Sequence, residues 1–447
     1  MKITKISSST IIIENDDVKL LCDPWVENGE YYGAWSLDQQ IDISDAYKRM
    51  NSCDAIYISH IHPDHLSPKT MKKLDLKDKK IYIHSYASNF LKKNLERMGY
   101  NNVLPIDHGT KKNIFGKTFL SIYAADNCDP SMCLKFYGCN YETEDISKNS
   151  HQIDSCMVLQ DEKYCVVNLN DCIYPMMTKT IENIKNDFKK IDVLLVNYNS
   201  AHSFPQCILN FDINKKKELS LDIKKSTFDK SINFINDFNP DFFIPMAGEY
   251  LLSGKNFFMN DFMGVNSQAE CQNFFSNSKF QDKFIMLNYG ENFNILDKKR
   301  NKFKIQESDK FKEYKDSISR IKYDYEMLDY PKLNEIENSA LNAFQRLYNR
   351  INLYNEKFEE TVYIKFFDKF IKLDLKKLDI SFVNDFNKST NNYVIIETDP
   401  RLLYEILKGP RYAHWNNADI GSHLMYYRSD PQKYNYRLGN TLVYFHN

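Results

Sequence analysis

The segment "AIYISHIHPDH", residues 55–65, limits what this 447-residue chain can fold into more than any other stretch. Ala55 to Ser59 read as a short buried strand, and the six positions that follow hold three of the ten histidines in the sequence together with an aspartate. His60, His62, Asp64 and His65 therefore fall on the turn just past a strand's C-terminal end, which in α/β sheets is where ligand chemistry collects. His60 and His62 alternate and can aim two imidazoles at one point, while Asp64 and His65 reach a second point nearby. Neutral imidazole and carboxylate suit zinc, iron or manganese. The competing reading is a solvated loop that is histidine-rich by chance; the type, order and spacing of the donors argue against it.

The surrounding pattern supplies the scaffold. "ITKISSSTIIIEN" and "VKLLCDP" read as two strands joined through the turn signal "NDD". Further short apolar strands are expected at residues 55–60, 80–85, 118–126, 155–160, 164–170 and 192–198. Helix-like stretches separate them at "PKTMKKLDL", "ASNFLKKNLERMG" and "PMMTKTIENIKNDFKK". A helix at "FDKSINFINDFNP" leads into the strand "DFFIPMAGEY". Strands interleaved with single helices predict an α/β layered core over residues 1–300. The composition then shifts: residues 301–360 are charged and include a long amphipathic helix, "KLNEIENSALNAFQRLYNRINLYNEKF", a helical connector. Residues 361–447 read as a small C-terminal α/β domain that covers or completes the cleft. It comprises a hairpin at "TVYIKFFDKFIKLDL", a strand "NYVIIET", and a helix N-capped by Asp399 and stopped at Gly409; the tail is expected to end in an apolar strand.

Bulk properties exclude several classes. The 59 basic and 60 acidic residues nearly cancel, so nothing favours a nucleic acid or an anionic membrane surface. No apolar run reaches the ~18 residues of a membrane span, and nothing resembles a signal peptide, so a cytoplasmic protein is expected. Ten cysteines occur without a CxxC pair, which fits buried reduced thiols better than a zinc ribbon or an iron–sulfur site.

The HxHxDH loop after a strand resembles the metallo-β-lactamase superfamily, which implies an αββα sandwich and a dinuclear metal site. Carried over, the resemblance implies His60 and His62 on one metal and Asp64 and His65 on the other, with Asp64 orienting the nucleophile. It also implies a third histidine and a bridging aspartate. His151 and Asp171 match that layout around the strands at 155–170, with Asp126 or Asn127 as rivals for the place of His151. His108 in "IDHGT" reads as a turn residue. The superfamily's last histidine follows a late strand, but here the equivalent string is "IPMAGEY"; Glu249, or His202 in "NYNSAHSFPQC", would have to compensate. A carboxylate there favours harder metals such as iron or manganese.

"CDPWVENGEYYGAWSL", "NLNDC", "FPQC", "PMAGEYLLSGK" and the C-terminal "HWNNADIGSHLMYYRSDPQKY" resemble a narrower branch. It is linked to surface-glycan clusters and is similar to the catalytic part of CMP-N-acetylneuraminate hydroxylases. That resemblance implies a di-iron oxygenase acting on a small polar metabolite with dioxygen and an electron donor. A Rieske centre needs CxH and CxxH pairs, which this sequence lacks, so the donor would be a separate partner. A dinuclear zinc or manganese hydrolase of a phosphoester, lactone or amide fits the same ligands, with His202 beside Asp64 in the catalytic set. A non-catalytic binding module is the third reading. For the substrate, Trp25, Tyr31, Tyr32 and Trp35 lie on one loop that could wall a pocket or simply pack. Arg411, His414, Asn416, Asn417 and His423 could bind a phosphate or sugar hydroxyls, or bury a domain interface.

Overall fold

The computed structural model describes residues 1–125, 154–299, 303–304, 309–386, 392–433 and 435–447. The N-terminal strands are β1 (Lys2–Lys5), β2 (Ile11–Glu14), β3 (Lys19–Cys22), β4 (Trp35–Leu37), β5 (Ala55–Tyr57), β6 (Lys80–His84) and β7 (Val103–Ile106). They continue as β8 (Lys112–Phe115), β9 (Thr118–Ala124), β10 (Ser155–Gln160), β11 (Cys165–Asn168), β12 (Val193–Val196), β13 (Phe242–Pro245), β14 (Tyr250–Leu252) and β15 (Asn292–Asn294). One sheet has the order β15-β1-β2-β3-β5-β6-β7 and faces a second with the order β13-β12-β11-β10-β9-β8.

Side-chain alternation makes this an αββα sandwich. On β10, Met157 and Leu159 point into the core between the sheets, where they join Ile13, Leu20, Tyr57 and Leu195. Cys156 and Val158 point the other way, onto Ile181 and Phe234 of two covering helices. On β5, Ala55 and Tyr57 face the inter-sheet core while Ile56 meets Met50, Met71 and Leu95 of the helices on the opposite side. Period-2 alternation with both faces apolar is what a doubly covered sheet demands.

Several elements differ from the sequence expectation, three of them for a plain physical reason. "ITKISSSTIIIEN" is a hairpin of β1 and β2, because the Ser-rich stretch turns: Ile6 N–H bonds Thr10 O at 2.9 Å. Its hydroxyls are spent on the neighbouring loops instead of alternating along a strand. The helix before β13 begins fifteen residues earlier than expected and spans Ile213–Phe238, N-capped by Asp212. The extreme C-terminus carries a helix, Tyr436–Leu442, where a strand was expected; Asn435 caps it and apolar Leu438 and Leu442 face inward at helical spacing.

The C-terminal strands are β16 (Thr361–Phe366), β17 (Lys369–Asp374), β18 (Asp379–Val383), β19 (Tyr393–Glu397) and β20 (Met425–Arg428), paired in the order β18-β17-β16-β19-β20. The helix Leu333–Leu353 lays Ile336, Ala340, Ala343, Leu347 and Ile351 on this sheet, and that core runs without a break into Trp25, Trp35 and Tyr250 of the sandwich. Trp35 of β4 stacks on Tyr250 of β14 with ring centroids 3.4 Å apart. The C-terminal layer therefore leans on the same end of the sandwich from which the β5 loop emerges. Among the described residues, no helix is long and apolar enough to cross a membrane.

Candidate metal centre

Parallel pairing brings the donors together. β3, β5 and β6 run parallel, so Asp23 after β3 lies beside Ser59 after β5. β10 is antiparallel to β11, so Asp154 at the start of one strand adjoins Asp171 beyond the end of the other. A hydrogen bond from Ser155 Oγ to Ser59 O, 2.7 Å, ties the two sheet ends across the sandwich. The tight turn closes with His65 N–H and Leu66 N–H both on His62 O.

The outer nitrogen of each histidine is already committed. Ser59 Oγ donates to Asp23 Oδ2 at 2.7 Å and so is left to accept from His60 Nδ1 at 2.9 Å. His65 Nδ1–H donates to Asp23 Oδ2 at 2.9 Å. His62 Nε2–H donates to Asn416 Oδ1 at 3.2 Å. Each ring's lone pair is thereby turned inward: His60 Nε2 and His62 Nδ1 stand 2.9 Å apart, and His65 Nε2 is 3.2 Å from Asp171 Oδ2 and 3.5 Å from Asp64 Oδ2. Among the described residues two donor groups result, His60–His65–Asp171 and His60–His62–Asp154, each with its ligand atoms within 4.8 Å of one another.

These residues fit a metal. Two bare imidazole nitrogens facing each other need a cation between them, and metal–nitrogen bonds of about 2.0–2.1 Å put neighbouring donors about 3 Å apart. His65 Nε2 is buried without a hydrogen bond of acceptable geometry although Asp171 is close. Two ligands of one metal stand at such a spacing. Carboxylate, hydroxyl and amide partners on the outer nitrogens fix the tautomer a metal requires.

The electrostatics favour the ligating form for two of the three rings. Burial, then the neighbouring His65 and His62, hold the His60 pKa well below its ordinary value, and burial outweighs the pull of Asp64 and Asp171 to lower that of His62. Both shifts favour the neutral ring, the form that binds a metal. For His65 burial also opposes the charge, but Asp171, Asp64 and Asp23 outweigh it and raise the pKa well above the ordinary value. Asp64 is raised, by burial first, while burial of Asp171 is overcome by His65 and its pKa is lowered. Asp64 Oδ1 also accepts the hydroxyl of buried Tyr31 at 2.5 Å, and Ser9 Oγ bonds the Asp64 carbonyl. Tyr31 and Tyr32 adopt φ values of 50° and 60°. Two successive non-glycine residues in the left-handed region cost on the order of 1–3 kcal/mol each and persist where contacts over-determine them. Gly33 beside them, at φ 96°, could not carry a side chain, since a Cβ would stand 2.9 Å from Tyr323 Cα.

Of the residues singled out in the sequence, the structure brings His60, His62, Asp64, His65 and Asp171 together. His151, Asp126 and Asn127 lie outside the described residues. Glu249 is not in the cluster: Lys5 at 2.6 Å, Tyr198 at 2.7 Å, Tyr289 at 2.9 Å and Gln268 at 3.3 Å occupy its carboxylate. His202 belongs to neither donor group; it follows β12, which runs parallel to β11, and so stands at the same sheet edge as Asp171, with burial lowering its pKa to about 4. Trp25 is fully buried and hydrogen-bonded to Glu27 O, which removes it from any substrate wall. Tyr32 accepts the His414 N–H at 2.6 Å, Arg411 is exposed, and Asn416 holds His62. Asp23 and Asp154 were missed. Each flanks a predicted strand on the ligand side, a position that could have flagged them.

Residues 2–199 match the family model described as "Beta-lactamase superfamily domain". The resemblance drawn from the HxHxDH loop is thus borne out over residues 2–199, and the αββα sandwich is of the metallo-β-lactamase-like class. Among curated relatives, a protein named for a Rieske 2Fe-2S centre, from Mycolicibacterium smegmatis, is 23% identical over 56% of this chain and 43% of its own length. Cytidine monophosphate-N-acetylneuraminic acid hydroxylase of Mus musculus is 22% identical over 57% of this chain and 40% of its own. The chain spans less than half the length of these curated relatives. Among solved structures, an isothiocyanate hydrolase from Delia radicum gut bacteria aligns with a TM-score of 0.45 at 13% identity, over 66% of this chain and 99% of that one.

Proposed function

We propose that the chain is a dinuclear metalloenzyme that hydroxylates a small polar metabolite, such as a sugar nucleotide or an amino-acid derivative. The observation that carries the metal reading is the convergence of three inward imidazole nitrogens with Asp64, Asp154 and Asp171. Among the described residues three carboxylates stand with three imidazoles, a balance that favours iron or manganese over zinc. Relatives named for hydroxylation and for a Rieske centre support oxidation. When bound, a metal pair here would supply activation of dioxygen or, in a hydrolytic reading, of water.

The chain's own residues do the rest. Asp23, Ser59 and Asn416 hold the ring tautomers, Tyr31 holds Asp64, and Asp171, 25% exposed, marks the side on which substrate enters. His202 stands at the same sheet edge, where burial keeps it neutral. Hydroxylation by dioxygen places one oxygen atom in product and one in water, and it consumes two electrons. Residues 1–447 hold no CxH and CxxH pair of a Rieske centre, so those electrons enter from outside these residues. Hydrolysis is the second reading, favoured by the family description itself.

The test is anaerobic Fe(II) reconstitution followed by oxygen. Two irons per chain and an optical change on oxygenation support the oxygenase. Two tightly held zincs with indifference to oxygen would move the assignment to a hydrolase.

A further inference from the structure

We infer that Asn416 is a positioning residue for the metal centre, and that through it the C-terminal segment sets which nitrogen of His62 carries the proton. The inference rests on reading His60, His62 and Asp154 as metal donors, and extends it to a part of the chain with no ligand of its own. Ser59 and Asp23, which hold the other two rings, lie on the strand-end loops of β5 and β3. The partner of His62 arrives from 354 positions away, on the helix Trp415–Ile420.

That helix is anchored on several sides. Asp419 Oδ1 accepts the Ser203 hydroxyl at 2.6 Å and that of Tyr426 at 2.7 Å. Trp35 Nε1–H reaches Ile420 O at 3.3 Å. Just beyond the helix, His423 Nε2–H donates to Tyr31 O at 2.8 Å, and just before it the His414 N–H meets the Tyr32 hydroxyl. The tyrosines so gripped are the two in the left-handed conformation, and one of them holds Asp64. One short C-terminal stretch therefore bears on both halves of the HxHxDH loop: directly on His62, and through Tyr31 on Asp64.

The chemistry is that of tautomer choice. An imidazole offers one lone pair, and a carbonyl oxygen at Nε2 claims the proton there and leaves Nδ1 bare. Without Asn416 the ring can carry its proton on Nδ1, facing His60 Nε2 and blocking a ligand position.

The test is Co(II) titration of chelator-stripped full-length protein, read by d–d absorption, for the parent, Asn416→Leu, Asn416→Ala and Asn416→Asp. The parent is expected to take up two Co(II) per chain. Asn416→Leu and Asn416→Ala should weaken one of the two uptake steps by about 10–100-fold, the usual effect of losing such an outer partner. The spectrum of that step should change while the other is kept. Asn416→Asp, which retains an acceptor oxygen at the same reach, should restore both. A purely structural role would lower both steps or neither and would not be rescued by aspartate. Parent-like uptake and spectra in both Asn416→Leu and Asn416→Ala would overturn the inference and leave the proposed function standing. A parent that binds no Co(II) would sink both together.

Discussion

Replacing Glu249 by alanine separates a metal ligand from a structural acid. The Lys5–Glu249 pair is 2.6 Å apart with each side chain 1% exposed, and the hydroxyls of Tyr198 and Tyr289 donate to the same carboxylate. Truncation leaves a buried ammonium without its counter-charge, a loss of about 3–5 kcal/mol when one partner of a buried pair is removed. Asp38 shares Tyr289 and Gln268 with Glu249, and its pKa is raised to about 7 by burial and then by Glu249. Once Glu249 is gone, Asp38 can ionise towards Lys5, which places the expected loss at the lower end of that range. Urea unfolding of parent and Glu249→Ala, with metal content measured by mass spectrometry, provides the assay. A fall of about 3 kcal/mol in unfolding free energy with unchanged metal content is the expected outcome. The double variant Lys5→Met/Glu249→Leu, which removes both charges, should recover most of the loss. Stability within about 1 kcal/mol of the parent together with the loss of one metal would refute the reasoning and return Glu249 to the ligand set.

Further outcomes follow from the same geometry. Asp154→Asn is expected to empty the His60–His62–Asp154 group while His60–His65–Asp171 still binds, so metal content should fall from two to one per chain; two metals retained at parent affinity would remove Asp154 from the centre. Burial lowers the His423 pKa to about 4, below the ordinary 6.5. Its contribution to stability is therefore complete above about pH 6.5 and is lost as pH falls towards 4, an effect on the order of 3 kcal/mol at about 1.4 kcal/mol per unit. His423→Gln should accordingly lose less unfolding free energy than the parent between pH 7 and 4.5, and equal losses would contradict the assignment.

The donors that were legible in the sequence are those whose chemistry is local. His60, His62, Asp64 and His65 share one turn, so their spacing alone says that they can converge, and an apolar strand before them says where. Asp171 was legible only through the family resemblance, which implies an aspartate at the end of such a strand. Glu249 misled for a physical reason. It follows β13 as a ligand would, but Ala247 turns at φ 68° and the carboxylate swings to Lys5 on β1. Trp25 misled because an aromatic loop reads alike whether it walls a pocket or fills a core. Asp154 went unread because its neighbour Asp171 is brought to it by antiparallel pairing of β10 with β11.

By itself the sequence determined the layers and the loop that would hold metal. Alternation at period two, helical spacing between strands and clustered imidazoles all act over a few residues, where propensity and burial decide. Tertiary structure alone decided which atoms complete the centre: Asp23 and Asp154 from other strand ends, Tyr31 on Asp64, and Asn416 on His62 from the far end of the chain. Those contacts depend on strand order and on how the C-terminal layer seats against the sandwich. A hydrogen bond across 354 positions is a property of that packing, and no local pattern encodes it.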